Sequence, residues 1–546
     1  MDTTAVAAGP DNALIAERLE TLAALLDLAG ASTYSVRAYR RAGELIRATP
    51  APVAELVRQG RVRELRGIGP SIEARLQELV ETGGLAEIDE LEAEVQPELV
   101  GLGRLVGLGP QRMVDLGKAL GIRSADELRE AAAAGRLRDV PGIGAATEAK
   151  IAARLAEERP TPRHGLVLSR AHALTDGVAG ALGGVTAGDP RRWRDLSERL
   201  AVVVPTSTPA EVLDRFAALP EIVAVLEREP DRALGVTVEG VPVEAVAVPA
   251  DRFGTELVRA TGSETYVASL GALPTAASEE ALFEALGRPF LPPELREAAF
   301  DGTPPVLVER SAIRGDVHVH TTWSDGKASV LEMAEAARAL GYDYIAICDH
   351  TKNVRVVPGL DADDLRRQAE EIAEANERLA PFRILRGSEC DILADGTLDL
   401  PDDILDELEW VQASVHAGQR QSREQLTQRT LAAVEHPAVK SISHPQGRIL
   451  NHRPPNAVDL DAVFAACAAN GTAIETNGLP DRIDLSSELV REAIRAGVRI
   501  TCSTDAHSVR GLSNMQLSVS TARRGWATAA DVLNTRGLDE LLAQKR

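Results

Sequence analysis

Seven short apolar runs beyond residue 310 each read as a buried strand, and six of them end on a residue type that binds metal ions. They are Asp316–His320 (DVHVH), then runs ending at His350 (YIAICDH), Glu389 (ILRGSE), His416 (VQASVH), His444 (VKSISH), Asn477 (AIETN) and His507 (ITCSTDAH). A lone core histidine is ordinarily a hydrogen-bonded packing residue. Recurrence at the ends of successive strands is hard to explain that way. Helical stretches such as SVLEMAEAARALG, DDLRRQAEEIAEANERLA and ELVREAIRAG separate the runs. Alternating strands and helices predict a parallel sheet. Seven strands, six of them with ligands at their C-terminal ends, predict a closed or nearly closed (β/α)7-type barrel, because such barrels build their active sites on that face. Imidazole and carboxylate ligands without thiolates suit Zn²⁺ or Mn²⁺ and disfavour a structural zinc site.

At 546 residues the chain is too long for one core and is expected to form three to five domains. No apolar run approaches the ~18 residues of a membrane-spanning helix. The opening MDTTAVAAGPDNA lacks the basic and apolar regions of a secretory signal. Cys348, Cys390, Cys467 and Cys502 sit in apolar runs without disulfide or zinc-ribbon spacing, and read as reduced core residues of a cytoplasmic protein. The net charge of -22 argues against a generally basic nucleic-acid binder. Residues 37–75, however, hold nine Arg against four Glu, a basic face on an acidic bulk that is compatible with DNA contact.

Three related motifs occupy the N-terminal third: Leu65–Pro70 (LRGIGP), Val106–Pro110 (VGLGP) and Val140–Ala145 (VPGIGA). Each is glycine, apolar residue, glycine between helix-like stretches. The pairs Gly67 and Gly69, Gly107 and Gly109, and Gly142 and Gly144 permit a tight turn. They also allow a phosphate to approach the amides that open the second helix. The pattern resembles the helix-hairpin-helix motif, which grips DNA backbone without reading sequence.

The order of parts resembles a bacterial family X DNA polymerase fused to a PHP domain. The resemblance runs from Asn12 and Tyr39-Arg40-Arg41-Ala42 through the hairpins, and resumes at Gly188–Arg192 (GDPRR) and Thr261-Gly262-Ser263. It implies all-α helix-hairpin-helix regions at 1–85 and 86–160, an α+β nucleotidyltransferase-like palm at 161–250, a thumb-like remnant at 251–305 and a PHP barrel at 310–546. The family's palm carries G-S-x-R-R, a D-x-D strand and a third Asp, which together hold two divalent ions. Here the Ser becomes Asp189, the D-x-D positions fall on Arg199 and Ala201, and the third Asp becomes Glu244. The palm is therefore read as degenerate and polymerase activity as lost. The helix after the first hairpin, Ser71-Ile72-Glu73-Ala74-Arg75, lacks the Lys that a Schiff-base lyase needs.

Beyond residue 314, D-x-H-x-H-T-x-x-S-D-G, D-H, G-x-E, S-x-H, S-H-P-x-G-R and S-T-D-A-H look like the full motif set of a PHP phosphoesterase. The resemblance implies nine ligands for three divalent ions, Zn or Mn: His318, His320, Glu389 and Asp505; Asp325, His350 and His507; and His416 with His444, Glu389 bridging. Glu389 and Asp505 are assigned as ligands or water-orienting groups, and Arg448 as a phosphate clamp. Lys352 is a weaker clamp candidate, and Glu475 and Asn477 line the pocket. His452 is near enough in sequence to reach the mouth. His436, His164 and His172 have no assigned role.

The expectation is a metal-dependent DNA phosphoesterase in repair. It would be a 3′–5′ exonuclease or 3′-end-processing enzyme, with abasic-site cleavage as a further activity. It is placed in the cytoplasm at the nucleoid, monomeric, with no membrane contact and with DNA backbone as partner. Two alternatives stay open: a histidinol-phosphatase-like phosphomonoesterase, and a non-catalytic DNA-binding scaffold.

Overall fold

The structure, a computed structural model, describes residues 10–28, 32–88, 116, 119–122, 125–140, 143–156, 165–354 and 357–545. The second hairpin with Gly107 and Gly109 lies outside them, as do Gly142 and His164. The chain divides into two compact units, 1–164 with 208–245 and 165–207 with 246–546. The stretch 161–250, one domain in the sequence reading, thus contributes to both.

In the first unit, helices Asn12–Leu28, Thr33–Ala48, Val53–Arg58 and Pro70–Thr82 enclose an apolar core that includes Ile15, Leu19, Leu22, Ile46 and Leu76. Ser32 starts the second of these helices by accepting from the Ser35 amide at 3.2 Å. An antiparallel strand pair, Ile222–Arg228 with Arg232–Thr237, adds Val223 and Val236 to the same core. Leu128, Leu137, Ile143 and Ile151 form a separate small core around the third hairpin.

The second unit contains the barrel. Its strands are Gly315–Val319, Tyr344–Ile347, Arg383–Asp391, Trp410–Ser414, Val439–Ile442, Ala473–Asn477 and Ile500–Ser503. Spatial order follows chain order, and the neighbours in register are parallel. First and last strands meet where Val319 bridges Ala506 and the His320 amide donates to the Ala506 carbonyl at 2.9 Å. Seven strands thus nearly close a barrel, as the strand ends implied. Three of the barrel's helices start at capping boxes, at Ser329, Asp361 and Ser422.

Alternate residues of each strand share a face of the sheet, and along that face the chemistry changes with height. Leu385, Trp410 and Ala473 form an apolar cluster with Leu533 and Leu541 from the C-terminal segment. Two residues on, Trp410 gives way to Gln412 and Ala473 to Glu475, all fully buried. Gly387 lies between Leu385 and Glu389 because nothing larger fits: a Cβ there would stand 2.6 Å from the Ile347 carbonyl oxygen and 2.9 Å from that of Trp410. Gly387→Ala is expected to push these strands apart at a cost of about 1–3 kcal/mol, read as a lowered midpoint in denaturant melts.

Candidate metal centre

The nine residues singled out as ligands gather at the C-terminal ends of the barrel strands. His318 and His320 present their Nε2 atoms 3.1 Å apart, and Asp505 Oδ1 lies 3.1 Å from that of His320 and 3.8 Å from that of His318. Asp325 lies 3.3 Å from His507, 3.7 Å from His350 and 3.9 Å from His320. Glu389 is 2.9 Å from His350, 3.4 Å from His416 and 2.8 Å from His444. Three sets bring their ligand atoms within 4.8 Å of one another: His318, His320 and Asp505; His320, Asp325, His350 and His507; and His350, Glu389 and His416. His320 and His350 each belong to two sets, a sharing that sequence order alone does not reveal.

A buried layer of carboxylates orients these ligands. Glu475 is fully buried and accepts from the His444 amide and the Ser443 hydroxyl at 2.7 and 3.0 Å. Its other oxygen lies 2.7 Å from His318 Nδ1, which leaves His318 Nε2 facing the cluster. Asp316 accepts from the Thr504 hydroxyl at 2.5 Å and from the amides of His318 and Thr504, tying the first strand to the loop that carries Asp505 and His507. Asp349 accepts from the Thr321 amide and hydroxyl, Ser324 and Gln368 at 2.5–2.8 Å, and so fixes the loop that holds Asp325. Asp391 accepts from the His416 amide at 2.9 Å, and Asn477 donates to Asp505 at the same distance. Both His444 and Asp505 adopt left-handed backbone, with φ of 25° and 53°. Non-glycine residues store strain there, and such strain collects at functional sites.

Burial opposes ionisation of Glu389, yet the charges of His416, His318 and His350 hold its carboxyl well below the ordinary range. Asp505 is likewise held low, by His318 and His320 against burial. The carboxylates in turn raise His318, and carry His416 and His507 up to about 9, in each case against burial. Burial and its cationic neighbours press His320 down to about 4.

The arrangement fits bound cations. His320 Nδ1, His350 Nδ1 and Glu389 Oε2 are buried without a hydrogen-bond partner, each an arrangement that costs roughly 1–3 kcal/mol when uncompensated. The last two atoms are 2.9 Å apart yet do not align on one another. Facing lone pairs on hard and borderline donors are what a divalent ion satisfies.

Other candidates have different surroundings. Arg448 donates through Nε to the Ile483 carbonyl at 3.2 Å, donates again through Nη2, and pairs with Asp195 at 2.9 Å. Its fork is thereby committed to loop and segment contacts. Lys352 pairs with Asp361, His436 lies 3.3 Å from Asp402, His172 packs on Trp193, and His452 is exposed. The orienting residues Asp316 and Asp349 were within the D-x-H and D-H motifs, so alternation along the strand carried the signal for them.

In the palm-like segment, Asp189 accepts from the amides of Glu198 and Arg199 at 2.9 Å and pairs with buried Arg192. Arg192 also donates to Glu297 at 3.0 Å, and Arg191 grips Glu279 with two bonds of 2.7 Å. Ala201 is fully buried, and Glu244 pairs with Arg232 at 3.1 Å. In the first hairpin, Gly67 has a φ of 104° and needs glycine on that account. Gly69 and Gly144 each open a helix at a point where a Cβ would meet nothing within 4 Å. Packing therefore does not call for glycine at either position.

Fold and centre define a chain that joins a helix-hairpin-helix region to a PHP domain. Family models agree, matching a helix-hairpin-helix domain at residues 10–85 and a PHP domain at residues 316–472. The chain belongs to the PolX family: it is 32% identical over 559 residues to the DNA polymerase/3′-5′ exonuclease PolX of Bacillus subtilis, covering 96% of this chain and 97% of that protein. About a third of the chain is also similar to a probable phosphatase of Acetivibrio thermocellus, 31% identical over 35% of this chain and 78% of the relative. A probable phosphatase of Photobacterium profundum is 29% identical over 37% of this chain and 81% of the relative. Glu475→Gln would weaken the hold on His318; metal affinity is expected to fall about 10–100-fold, as measured by titration against a chelator with metal analysis of the purified variant.

Proposed function

We propose that this protein hydrolyses phosphodiesters at DNA 3′ ends, as a 3′–5′ exonuclease or end-processing enzyme, and that its barrel is the only part of the chain that does chemistry. The supporting observation is the contrast within the second unit. Eight of the nine barrel ligands fall into three sets that could each hold an ion and the ninth, His444, lies 2.8 Å from Glu389, whereas the palm-like segment has Arg199 and Ala201 at the D-x-D positions. The printed activity of the Bacillus subtilis relative, DNA polymerase/3′-5′ exonuclease, supports the exonuclease half of that description.

His318, His320 and Asp505, with His350, His507, Asp325, His416, Glu389 and His444, would hold up to three divalent ions, Zn²⁺ or Mn²⁺. Bound there, such ions supply Lewis-acid neutralisation of phosphate oxygens and activation of water for in-line attack. The chain's own contribution is orientation and charge. Glu389 and Asp505 stay ionised at neutral pH because imidazoles surround them, so both keep acceptor oxygens aimed into the site. Glu475 holds His318 in one ring orientation.

Nucleotidyl transfer is proposed to be absent. Arg191 and Arg192, in the motif the family uses at its palm, are occupied by Glu279, Asp189 and Glu297, leaving no free fork for a triphosphate. The hairpins serve as sequence-independent grips on DNA backbone, since Gly69 and Gly144 leave the helix N-termini open to close approach. We assign the segments as 1–85, 86–160, 161–250, 251–305 and 310–546, in the order hairpin domain, hairpin region, degenerate palm, thumb remnant and PHP domain.

A phosphomonoesterase reading has one specific support, the relatives described as probable phosphatases that match 35% and 37% of the chain. The full chain with Mn²⁺ should shorten 3′-recessed DNA faster than it cleaves a small phosphomonoester; the reverse order would favour that reading. His318→Ala combined with His320→Ala should lower DNA hydrolysis by more than about 100-fold. Template-directed incorporation of a nucleotide by the wild-type protein would overturn the reading of the palm.

A further inference from the structure

Within the second unit, the palm-like segment meets the loop that follows His444. The strand pair Leu166–Val167 and Leu196–Ser197 is antiparallel. Beside it, Leu168 is buried with Leu450 and Ile483, from the loops after the fifth and sixth barrel strands, and with Leu517. Trp193 and Leu196 pack against the same cluster. Polar contacts flank it. Asn451 donates to the Gly165 carbonyl at 2.8 Å, and the Gly165 amide donates back to Asn451 at 3.4 Å. Arg448, itself buried, pairs with Asp195 at 2.9 Å.

The barrel side of this junction begins at a metal ligand. His444 stands 2.8 Å from Glu389 and belongs to none of the three sets whose ligand atoms are already assembled. Its amide donates to Glu475 at 2.7 Å, and its carbonyl accepts from the Gly447 amide at 2.8 Å. The turn that leads to Arg448 therefore holds one side of the His444 backbone. Arg448 continues the chain of contacts by donating to the Ile483 carbonyl at 3.2 Å. Asp484 also feels the Arg448 charge, but it accepts from the Gln446 amide at 3.0 Å, and the ion pair is with Asp195.

Backbone conformation marks the same junction. Among the described residues, six other than glycine have positive φ, and four of them are here: Trp193 at 57°, His444 at 25°, Asn451 at 61° and Ile483 at 42°. For a β-branched residue such as Ile483 this is a genuine outlier. Such conformations persist only where the surroundings over-determine them. Contacts across the junction reach three of the four directly, Trp193 and Ile483 through the apolar cluster and Asn451 through Gly165. The fourth is the metal ligand.

We propose that Asp195 is a positioning residue for His444: through Arg448 it braces the loop that holds this ligand against Glu389, so the palm-like segment sets metal affinity in the barrel. This assignment rests on the reading of His444 as a metal ligand. Without Asp195 the Arg448 guanidinium is a buried charge that has lost its ion-pair partner. The loop then has to move to solvate it, and His444 moves with the loop. The palm-like segment thus has a task that needs no nucleotide.

The test compares full-length wild type with Asp195→Asn, Asp195→Glu, Arg448→Lys, His444→Ala and the double variant Asp195→Asn with His444→Ala. Asp176→Asn, at an exposed acid on the helix Leu168–Leu182, is the control. Chelator competition measures Mn²⁺ affinity, steady-state kinetics follows hydrolysis of 3′-recessed DNA, and melting of the metal-free protein reports stability. Asp195→Asn should weaken the most loosely held Mn²⁺ about tenfold or more, the effect of losing a group that orients a ligand. Its kcat should fall in step, with a smaller change in KM. Asp195→Glu should recover part of the loss, Arg448→Lys should show a smaller loss of the same kind, and Asp176→Asn should show none. Adding Asp195→Asn to His444→Ala should cost little further, because both act through one ligand. If Asp195→Asn binds Mn²⁺ as wild type does, or its loss multiplies with that of His444→Ala, the assignment is overturned and the ligand reading stands. A lowered melting temperature with unchanged Mn²⁺ affinity would make the contact one of packing alone and overturn it too. If His444→Ala itself keeps wild-type affinity and turnover, the ligand reading falls and the assignment with it.

Discussion

Five imidazoles crowd one carboxylate. Glu389 lies 2.8–3.7 Å from His318, His320, His350, His416 and His444, and every other part of the centre is arranged around it. A fully buried carboxylate among rings that also repel one another cannot hold its geometry by mutual attraction alone. The positions must be imposed from outside, and the barrel does this with a second set of acids. Glu475, Asp316, Asp349 and Asp391 each accept from backbone amides as well as from side chains, so the framework of the strand ends, and not the cluster, positions His318, His416 and His444. The apolar floor of Leu385, Trp410 and Leu541 makes this possible by sealing the opposite end of the barrel.

Sequence carried the centre further than it carried the surroundings. Ligands at strand ends are legible because a strand's period of two and its terminus are local properties, and His318, His350, Glu389 and His416 follow from them. Which ligands share an ion is not local: His320 and His350 each face two sets because strands distant in sequence bring Asp505, Asp325 and Glu389 to them. Glu475 was read as pocket lining because a carboxylate in AIETN looks the same whether it binds a metal or a ring nitrogen 157 residues away. Arg448 had the right chemistry for a clamp, but Asp195 and Ile483 decide where its fork points. The division of 161–250 between two units was invisible for a similar reason. Its strands have the same alternation whichever core they join.

The two halves of the chain answer to different constraints. In the hairpin region, Gly69 and Gly144 stand where a Cβ would meet nothing within 4 Å, so neighbouring atoms do not demand glycine there. In the barrel, Gly387 is required by neighbouring carbonyls, and the demand is internal. The net charge of -22 gives the whole protein a field that repels a polyanion, so any DNA contact has to come from local basic faces.

The pairing of Asp189 with Arg192 has a consequence beyond its own segment. Arg192 is 3% exposed, donates to Glu297, and offers its carbonyl to Arg524 on the helix Met515–Arg524, which follows the seventh barrel strand. Placing serine at position 189 would remove one of two carboxylates from a buried cation whose remaining partner, Glu297, also accepts from Arg524 at 2.9 Å. The cost of such a change would therefore reach the helix Met515–Arg524 as well as the turn at residue 189.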